Sequence, residues 1–569
     1  MSTLITDTFR QQIARNTLTV FSDAAESLYL FYGKSLEWDT YDTPPELLQS
    51  TFNENKIKSN ILALKKISAR DITLAVPRVE WSSGTVYDYY TDQESMVGKN
   101  FYMITDENHV YKCLENNNDD PYGSSEKPTH TDPSNPPIEE DGYVWQYMFT
   151  VSEPIQRKFN NPNYIPIDIN DPDIKVITAS AVPGTINKIL LDDRGQNYSL
   201  VGLTTDSTFN IIPLYVLGNG DEVATAKIRI TGITETGGIN TSITEPSGLE
   251  IAGHFEITDR GNGYSIANHV DGAYENDGAW IPVLLRQISS QTISVNTDSE
   301  FEYAYGIAKV NVDGKIQSLR ITNPGKGYTL GEAQIVQSSC IAYANLDSYG
   351  TLDSISVPFP GRNFTIAQII PVSDKNTNLG NNASFTPIIS PAYGHSYNPE
   401  IELNARSVMF SIRVAYEELT GDFPTSNEFR SVGIIHTPLK QDADGSNRAV
   451  STELTLTGVT ELVTSDNTLD PNDWGADDIV IGTISGAKAK IVEVLENNVI
   501  RVIRDAESSN NTPFLVNESI ISSSASARIS SIVLPEYVPY SGDILLINNI
   551  QAIERSNDQI ETINFILNL

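Results

Sequence analysis

The sequence predicts a mainly β, multidomain protein with a few helices, and three observations predict it. At 569 residues the chain is too long for one core, and at about 100–200 residues per domain roughly three to five domains are expected. Between about residues 175 and 390 one strand-and-turn phrase recurs in a stretch rich in β-branched residues, Gly and Asn. Around residues 442–534 a second, shorter pattern of alternating residues repeats. The expected organisation is an α+β body in three pieces, 1–174, 400–441 and 535–569. A β-rich repeat region (175–399) and a small β-barrel-like domain (442–534) interrupt it.

Taken in order, Thr6 or Asp7 is placed to cap a helix to about Thr17, with Phe9, Ile13 and Ala14 on one face. Leu28 to Tyr32 is an aromatic-rich strand ending at Gly33. Pro44-Pro45 suits a helix start, and Ile57, Ile61, Leu64 and Ile67 continue a helical spacing to Ser68. Ile72 to Pro77, Asn100 to Thr105, Val110 to Leu114 and Tyr143 to Val151 read as strands. Glu115 to Glu140, poor in aliphatics, reads as a long surface loop that a partner could order.

The repeated phrase runs Ile189 to Gly195 and Tyr198, then Phe255 to Gly261 and Tyr264. It returns as Leu319 to Gly325 and Tyr328, and more loosely as Ile355 to Gly361 and Phe364. Each copy is a strand entering a turn whose Gly or Asn tolerates positive φ, followed by an aromatic that can pack back on the sheet. Gly-x-Gly-Tyr opens no helix here and lacks the Lys-Ser/Thr ending of a P-loop, so a nucleotide cradle is not expected. In the second insertion, Gly482 to Leu495 is echoed by Glu518 to Val533, with Val499 to Ile503 between them, which suits a small closed barrel.

Composition narrows the function. Formal net charge is −35, from 73 acidic and 38 basic residues, and Lys65-Lys66 is typical of the largest basic clusters. A phosphate-backbone binder needs a concentrated basic surface, so no nucleic acid is expected as a partner. No window approaches the run of about 18 apolar residues of a membrane span, and Asp7, Arg10 and Arg15 break any signal-peptide core, so a soluble protein made in the cytoplasm is expected. Cys113 and Cys340 form no CxxC pair and read as buried free thiols.

Catalytic patterns are missing. No two of the six histidines, His109, His130, His254, His269, His395 and His436, are three to five residues apart, and no Gly-x-Ser-x-Gly elbow occurs. The acidic pairs Asp119-Asp120, Glu139-Glu140 and Asp477-Asp478 read as solvated turn residues. Asp442-Ala-Asp444-Gly445-Ser-Asn447 resembles the opening of a calcium loop, but Gly445 falls two places early for an EF-hand, and an Asp/Gly turn is the expectation. We therefore expect no catalytic residue, cofactor or metal. The strand Asp141 to Phe149 aligns Tyr143, Trp145, Tyr147 and Phe149 on one face; core, subunit interface and sugar platform are the open readings for it.

Dense motifs lie only towards the two ends of the chain. They are Tyr32-Gly33-Lys34-Ser35 with Trp38, Pro77-Arg78 with Trp81, Tyr111 with Cys113 and Leu114, Asp141-Gly142-Tyr143-Val144-Trp145, Phe429-Arg430, and Asp558-Gln559-Ile-Glu561-Thr-Ile563-Asn564. In this order they resemble the baseplate wedge subunit of T4-like contractile-tailed phages, the gene eight product family, over a little under half of the chain. The family's Pro-Pro before its last strand is Gln551-Ala552 here, which puts that local turn in question.

The resemblance implies a non-enzymatic virion protein of the tail baseplate. Its implied partners are other wedge subunits and a second copy of itself; the size and position of the two insertions add peripheral fibre or spike proteins as expected contacts. Its implied role is in baseplate assembly and in the rearrangement that triggers sheath contraction. On this reading Gly33, Trp38, Pro77, Arg78, Trp81, Asp141, Gly142, Tyr143, Trp145, Phe429, Arg430, Asp558, Gln559, Glu561 and Asn564 are core or subunit-interface residues. Arg78 suits a bidentate carboxylate pair, with Glu80 a poor partner for it, and Trp38, Trp81 and Trp145 are expected to anchor the core. The alternative is a receptor- or glycan-binding peripheral tail protein whose repeated β-units touch the host surface. A glycan-degrading spike is disfavoured, because the regular short period of a β-helix is missing.

Overall fold

Strands carry the architecture and helices are few and short in the computed structural model of this chain. It describes residues 6–23, 25–34, 44, 51–117, 122–134, 136–198, 200–201, 208–209, 211–234, 237–240, 255–264, 279–288, 301–311, 313–373, 381–415, 423–425, 427–465, 469–470, 473–495, 498–504, 512–523, 525–556 and 559–569. The fold is mainly β and multidomain, with a closed six-stranded barrel among its sheets. Two compact units divide it: Met1–Val76 with Glu153–Asn161 and Ala405–Leu569, and Pro77–Ser152 with Pro162–Asn404. Residues 77–152 thus share a unit with the repeat region.

In the first unit, one sheet has the order Thr455–Thr457, Ile61–Lys66, Leu28–Gly33, Glu428–His436, Asp543–Glu554. A second pairs Ser407–Ala415 with Ile72–Pro77 on one side and Ile560–Asn568 on the other. The helix Asp7–Ser22 begins at Thr6, whose side chain accepts from Phe9 N, and lies on this second sheet with Phe21 edge-on to Phe410 at 5.2 Å. Its buried residues are Ala14 and Leu18; Phe9 is exposed, contrary to the face assigned from sequence.

A second correction concerns the helix expected to run from Pro44 to Ser68. The helix is Thr51–Ser59 only, and Ile61–Lys66 is a strand; Pro45 lies outside the described residues. This strand sits between two others with Ile61 to Leu64 all buried, so both of its faces are apolar and its spacing imitates a helix.

The barrel closes in the order Thr460–Thr464, Val499–Arg504, Lys488–Leu495, Ile479–Gly482, Ser519–Ile521, Ser526–Val533. Alternate residues such as Leu462, Val480, Ile491, Val502, Ile520 and Ile529 fill it.

In the second unit the four repeated phrases build two modules of one plan. The inner module is a six-stranded sheet in the order Phe255–Asp259, Glu222–Ile230, Gly331–Ser338, Ala279–Gln287, Ala304–Val310, Ile316–Asn323. It reads as two copies of hairpin, turn, strand, and each copy's last strand pairs with the other's hairpin. The outer module follows the same order of elements but in two sheets, one of Ala367–Pro371, Ile211–Gly218, Cys340–Leu346 and Leu352–Pro360, the other pairing Ile186–Gln196 with Asn381–Ile389, a strand from its C-terminal end. The inner module is inserted in the outer one, and Ser339 N donates to Asp221 O at 2.8 Å where the chain leaves and returns. Leu284, Ile307 and Val336 of the inner sheet pack into the outer module's core, so the two share it.

Candidate functional site

The motif residues fall into two groups, one in each compact unit. In the first unit three separate motifs meet in one buried cluster. Tyr32, at the end of its strand, stacks on Phe429 with centroids 4.3 Å apart and meets Phe423 edge-on at 5.6 Å. Gly33 follows because Ser431 lies opposite: a Cβ there would stand 2.3 Å from Ser431 Oγ.

Over this aromatic group lies Arg555, 2% exposed, with its guanidinium 5.6 Å from the Phe423 ring centre. Its Nε donates to both oxygens of Glu561 at 2.8 Å, and Nη1 donates to Phe423 O. Glu561 is therefore the counter-charge of a buried arginine that the sequence reading did not single out. Arg430 pairs with Glu428, Gln559 accepts from Ser556 N at 3.1 Å in the turn before the last strand, and Asn564 lies opposite Ser411 in that strand. Trp38 and Asp558 lie outside the described residues.

Lys34, also of the first motif, joins the body to the barrel. Its buried Nζ donates to Asp477 Oδ1 at 2.7 Å and Asn427 Oδ1 at 2.6 Å, and Asn427 in turn donates to Val492 O of a barrel strand. Burial holds the Lys34 ammonium below its usual range, which the hydrogen bond to Asp477 partly offsets. Asp477 is thus an ion-pair partner, and Asp478 Oδ2 accepts from Gly475 N, where solvated turn residues were expected.

In the second unit Asp141 organises a turn. Its Oδ2 accepts from Ser125 N, Glu126 N and Ser124 Oγ at 2.8, 3.0 and 3.1 Å, and its Oδ1 accepts from Tyr143 N at 3.0 Å. Gly142 is left-handed, φ 83°, and a Cβ there would meet the Asn117 side chain at 2.6 Å. Further pins act on the same loop: His130 Nε2 bonds Trp145 O, Tyr111 donates to His130 O, and Gln146 donates to Pro133 O. The described part of the loop expected to await a partner is therefore held from within the chain; residues 118–121 and 135 lie outside the description.

Trp145 is fully buried, edge-on to Tyr87 at 4.9 Å and stacked near Tyr143 at 5.7 Å, and Tyr147 and Phe149 are buried as well. Of the three readings of this aromatic face, core is the one these residues show. Trp81 is only half-buried, with Nε1 3.4 Å from Ser124 Oγ. Pro77 is exposed and its carbonyl accepts from Tyr102. Arg78 pairs with Glu80 after all, Nε to Oε1 at 2.9 Å, a partner the sequence argument set aside. At the exposed start of a loop the backbone leaves strand geometry, and alternate neighbours can then turn towards each other.

Another buried ionic group has no signature in the sequence. Lys112 is fully buried, donates to Glu402, lies 2.9 Å from His395 Nδ1, and stands over the Tyr90 ring at 3.8 Å. Burial, and then the Lys112 charge, push His395 well below its ordinary range, while burial lowers Lys112 against the pull of Glu402. Glu402 also accepts from Ser396 N and Asn398 N, so the group fixes the segment that carries His395.

The four repeat turns use their own amides. Gly195 N, Gly261 N and Gly325 N donate to Asp193, Asp259 and Asn323, and Tyr198 N, Tyr264 N and Phe364 N donate to backbone carbonyls. A phosphate would find these donors already engaged. The Asp442 loop is likewise closed by Ser446 and Asn447, and among the described residues no group of three His, Cys, Asp or Glu could hold a metal. Cys113 and Cys340 are buried free thiols, both raised by burial. Among the described residues no helix is long and apolar enough to cross a membrane. No protein-family model matches the chain, and no curated protein matches it.

Proposed function

We propose that this chain is a structural, non-enzymatic component of a contractile-tail baseplate wedge. It would join neighbouring wedge subunits and take part in baseplate assembly and in the rearrangement that triggers sheath contraction. The collinear motifs carry the proposal. What they do in the fold supports it: Tyr32, Phe429 and Glu561 meet at one buried cluster, and Asp141 to Trp145 form a turn and a core. Residues used in this way make a framework, so a resemblance carried by them is one of architecture. Rigid frameworks that pivot on a few contacts suit a baseplate that changes arrangement.

The partners proposed are other wedge subunits, a second copy of the chain, and peripheral fibre or spike proteins. Immunogold microscopy of purified virions, with antibody against residues 175–390, tests the reading. A ring of label at the tail base is the expected result. Label at fibre or spike tips would replace it with a receptor-binding role, and unlabelled virions would end both.

A further inference from the structure

The outer wall of the small barrel carries exposed aliphatic side chains with basic residues beside them. Val480, Ala489, Ile520 and Ala527 point into the barrel, so their strand neighbours point out. Register then sets Ile479 beside Lys490, and Ile481 between Lys488 on one side and Ile521 on the other. The next strand adds Arg528, opposite Ser519. Ile479 and Ile521 are 44% and 41% exposed, and Ile484, at the adjoining hairpin tip, is 72% exposed. An aliphatic strip thus runs along the wall between cationic rims.

The strip is held rigidly. Glu518, 1% exposed, accepts from Leu515 N at 2.6 Å, Ser485 N at 2.9 Å, Ile484 N at 3.1 Å and Ser485 Oγ at 2.8 Å, locking the tip that displays Ile484. Preorganisation of this kind lowers the ordering cost of binding. Lys488 and Lys490 form no ion pair with a described residue, in a chain whose acids outnumber its bases 73 to 38.

We propose that this strip docks an acidic segment of a partner protein, one that presents aliphatic side chains to Ile481, Ile484 and Ile521 and carboxylates to Lys488 and Arg528. The barrel is closed, so an added strand would find no open edge and recognition falls to side chains. A second copy docking strip to strip would bring the cationic rims together, which disfavours it. The inference rests on the barrel alone and stands whether or not the wedge reading does.

Fluorescence anisotropy of a labelled, soluble peptide alternating glutamate and leucine, titrated with the full chain, is the test. An acidic probe must overcome the field of net charge −35, so its binding marks a local basic surface. The expected result is salt-sensitive binding that weakens by about tenfold in the Lys488→Glu, Arg528→Glu double variant. Ile484→Ser with Ile521→Ser should remove it while leaving the unfolding profile near that of the parent. No binding, equal binding by the charge-reversed variant, equal binding by the serine variant, or preference for anionic phosphatidylserine vesicles over the peptide would each overturn the proposal.

Discussion

The one-off motif sites and the fourfold repeated turn solve the same problem, fixing an aromatic ring under a turn, in opposite ways. Around Tyr32 and Arg555 a single cluster ties residues from separate strands and one buried ion pair, so one change disturbs all of them. In the repeats the same geometry recurs at Tyr198, Tyr264, Tyr328 and Phe364, all buried, each after one left-handed residue at Gly195, Gly261, Gly325 or Gly361 and another at Asn197, Gly263, Gly327 or Asn363. The difference teaches that the unique sites should fail broadly and the repeated ones locally.

The largest expected effects lie in the unique sites. Trp145→Ala should cost about 3–5 kcal/mol, because the ring is fully buried against Tyr87 and Tyr143. Loss of soluble protein, or a large drop in the urea midpoint of its unit, is the measurement. A variant of parental stability would break the comparison at once. Glu561→Ala follows at about 3 kcal/mol, since it leaves the Arg555 charge buried without its partner. Removing both, as Arg555→Met with Glu561→Leu, should recover a good part of that loss.

Next come the glycines of the repeated turn, where two positions separate strain from crowding. Gly325→Ala places a Cβ 2.6 Å from the Glu302 carbonyl as well as forcing φ 64° on alanine, a cost of about 2–3 kcal/mol. Gly263→Ala has the same backbone problem at φ 77° but open space around it, and about 1–2 kcal/mol is expected. Equal losses in thermal unfolding would show that crowding at Gly325 is relieved by backbone shifts.

The barrel adds a pH-dependent case. Burial raises the Glu518 carboxyl, but hydrogen bonds from Leu515 N, Ser485 and Ile484 N outweigh it and hold the group below its usual range. A carboxyl lowered on folding stabilises the fold above the unfolded value of about 4.3 and loses that contribution as pH falls through the folded value. Glu518→Gln should therefore cost about 1.5–2 kcal/mol at neutral pH and flatten the acid limb of a pH–stability curve.

Local signals were legible in the sequence, and pairings across the chain were not. The repeats declared themselves because a left-handed turn demands Gly or Asn, a constraint visible in a few residues. Cap, strand and barrel alternation around Thr6, Leu28 and Lys488 were visible for the same reason. Ile61 to Lys66 misled because a strand buried on both faces has no period to read. The Lys112, His395 and Glu402 group could not be found because nearly 300 residues separate its members, 290 between Lys112 and Glu402, and only the fold brings them together. Glu561 stood in a motif without its role, since its partner Arg555, although inside the 535–569 piece, belongs to none of the motifs.

The smallest effects belong to the aromatic hydroxyls, and they sharpen the comparison most. Tyr328 Oη accepts from Ala304 N at 2.8 Å and donates to Leu285 O, and burial raises its hydroxyl to about 12. Tyr264 repeats this with Ala226 N at 3.1 Å and Ile335 O at 2.6 Å. Among the described residues Tyr198 Oη has the amide alone, from Ala383 N at 3.2 Å. In the fourth copy Phe364 has no hydroxyl, and the corresponding amide, Cys340 N, donates to Ser338 Oγ at 3.3 Å instead. Tyr328→Phe and Tyr264→Phe should each cost about 1–2 kcal/mol by stranding a buried donor and acceptor, and Tyr198→Phe about 0.5–1 kcal/mol. Ser338→Ala should then resemble Tyr198→Phe, because both remove the one acceptor that the equivalent amide uses. If instead all three tyrosines can be replaced without loss by urea unfolding, the rings act through packing alone, and the fourth copy is the rule rather than the exception.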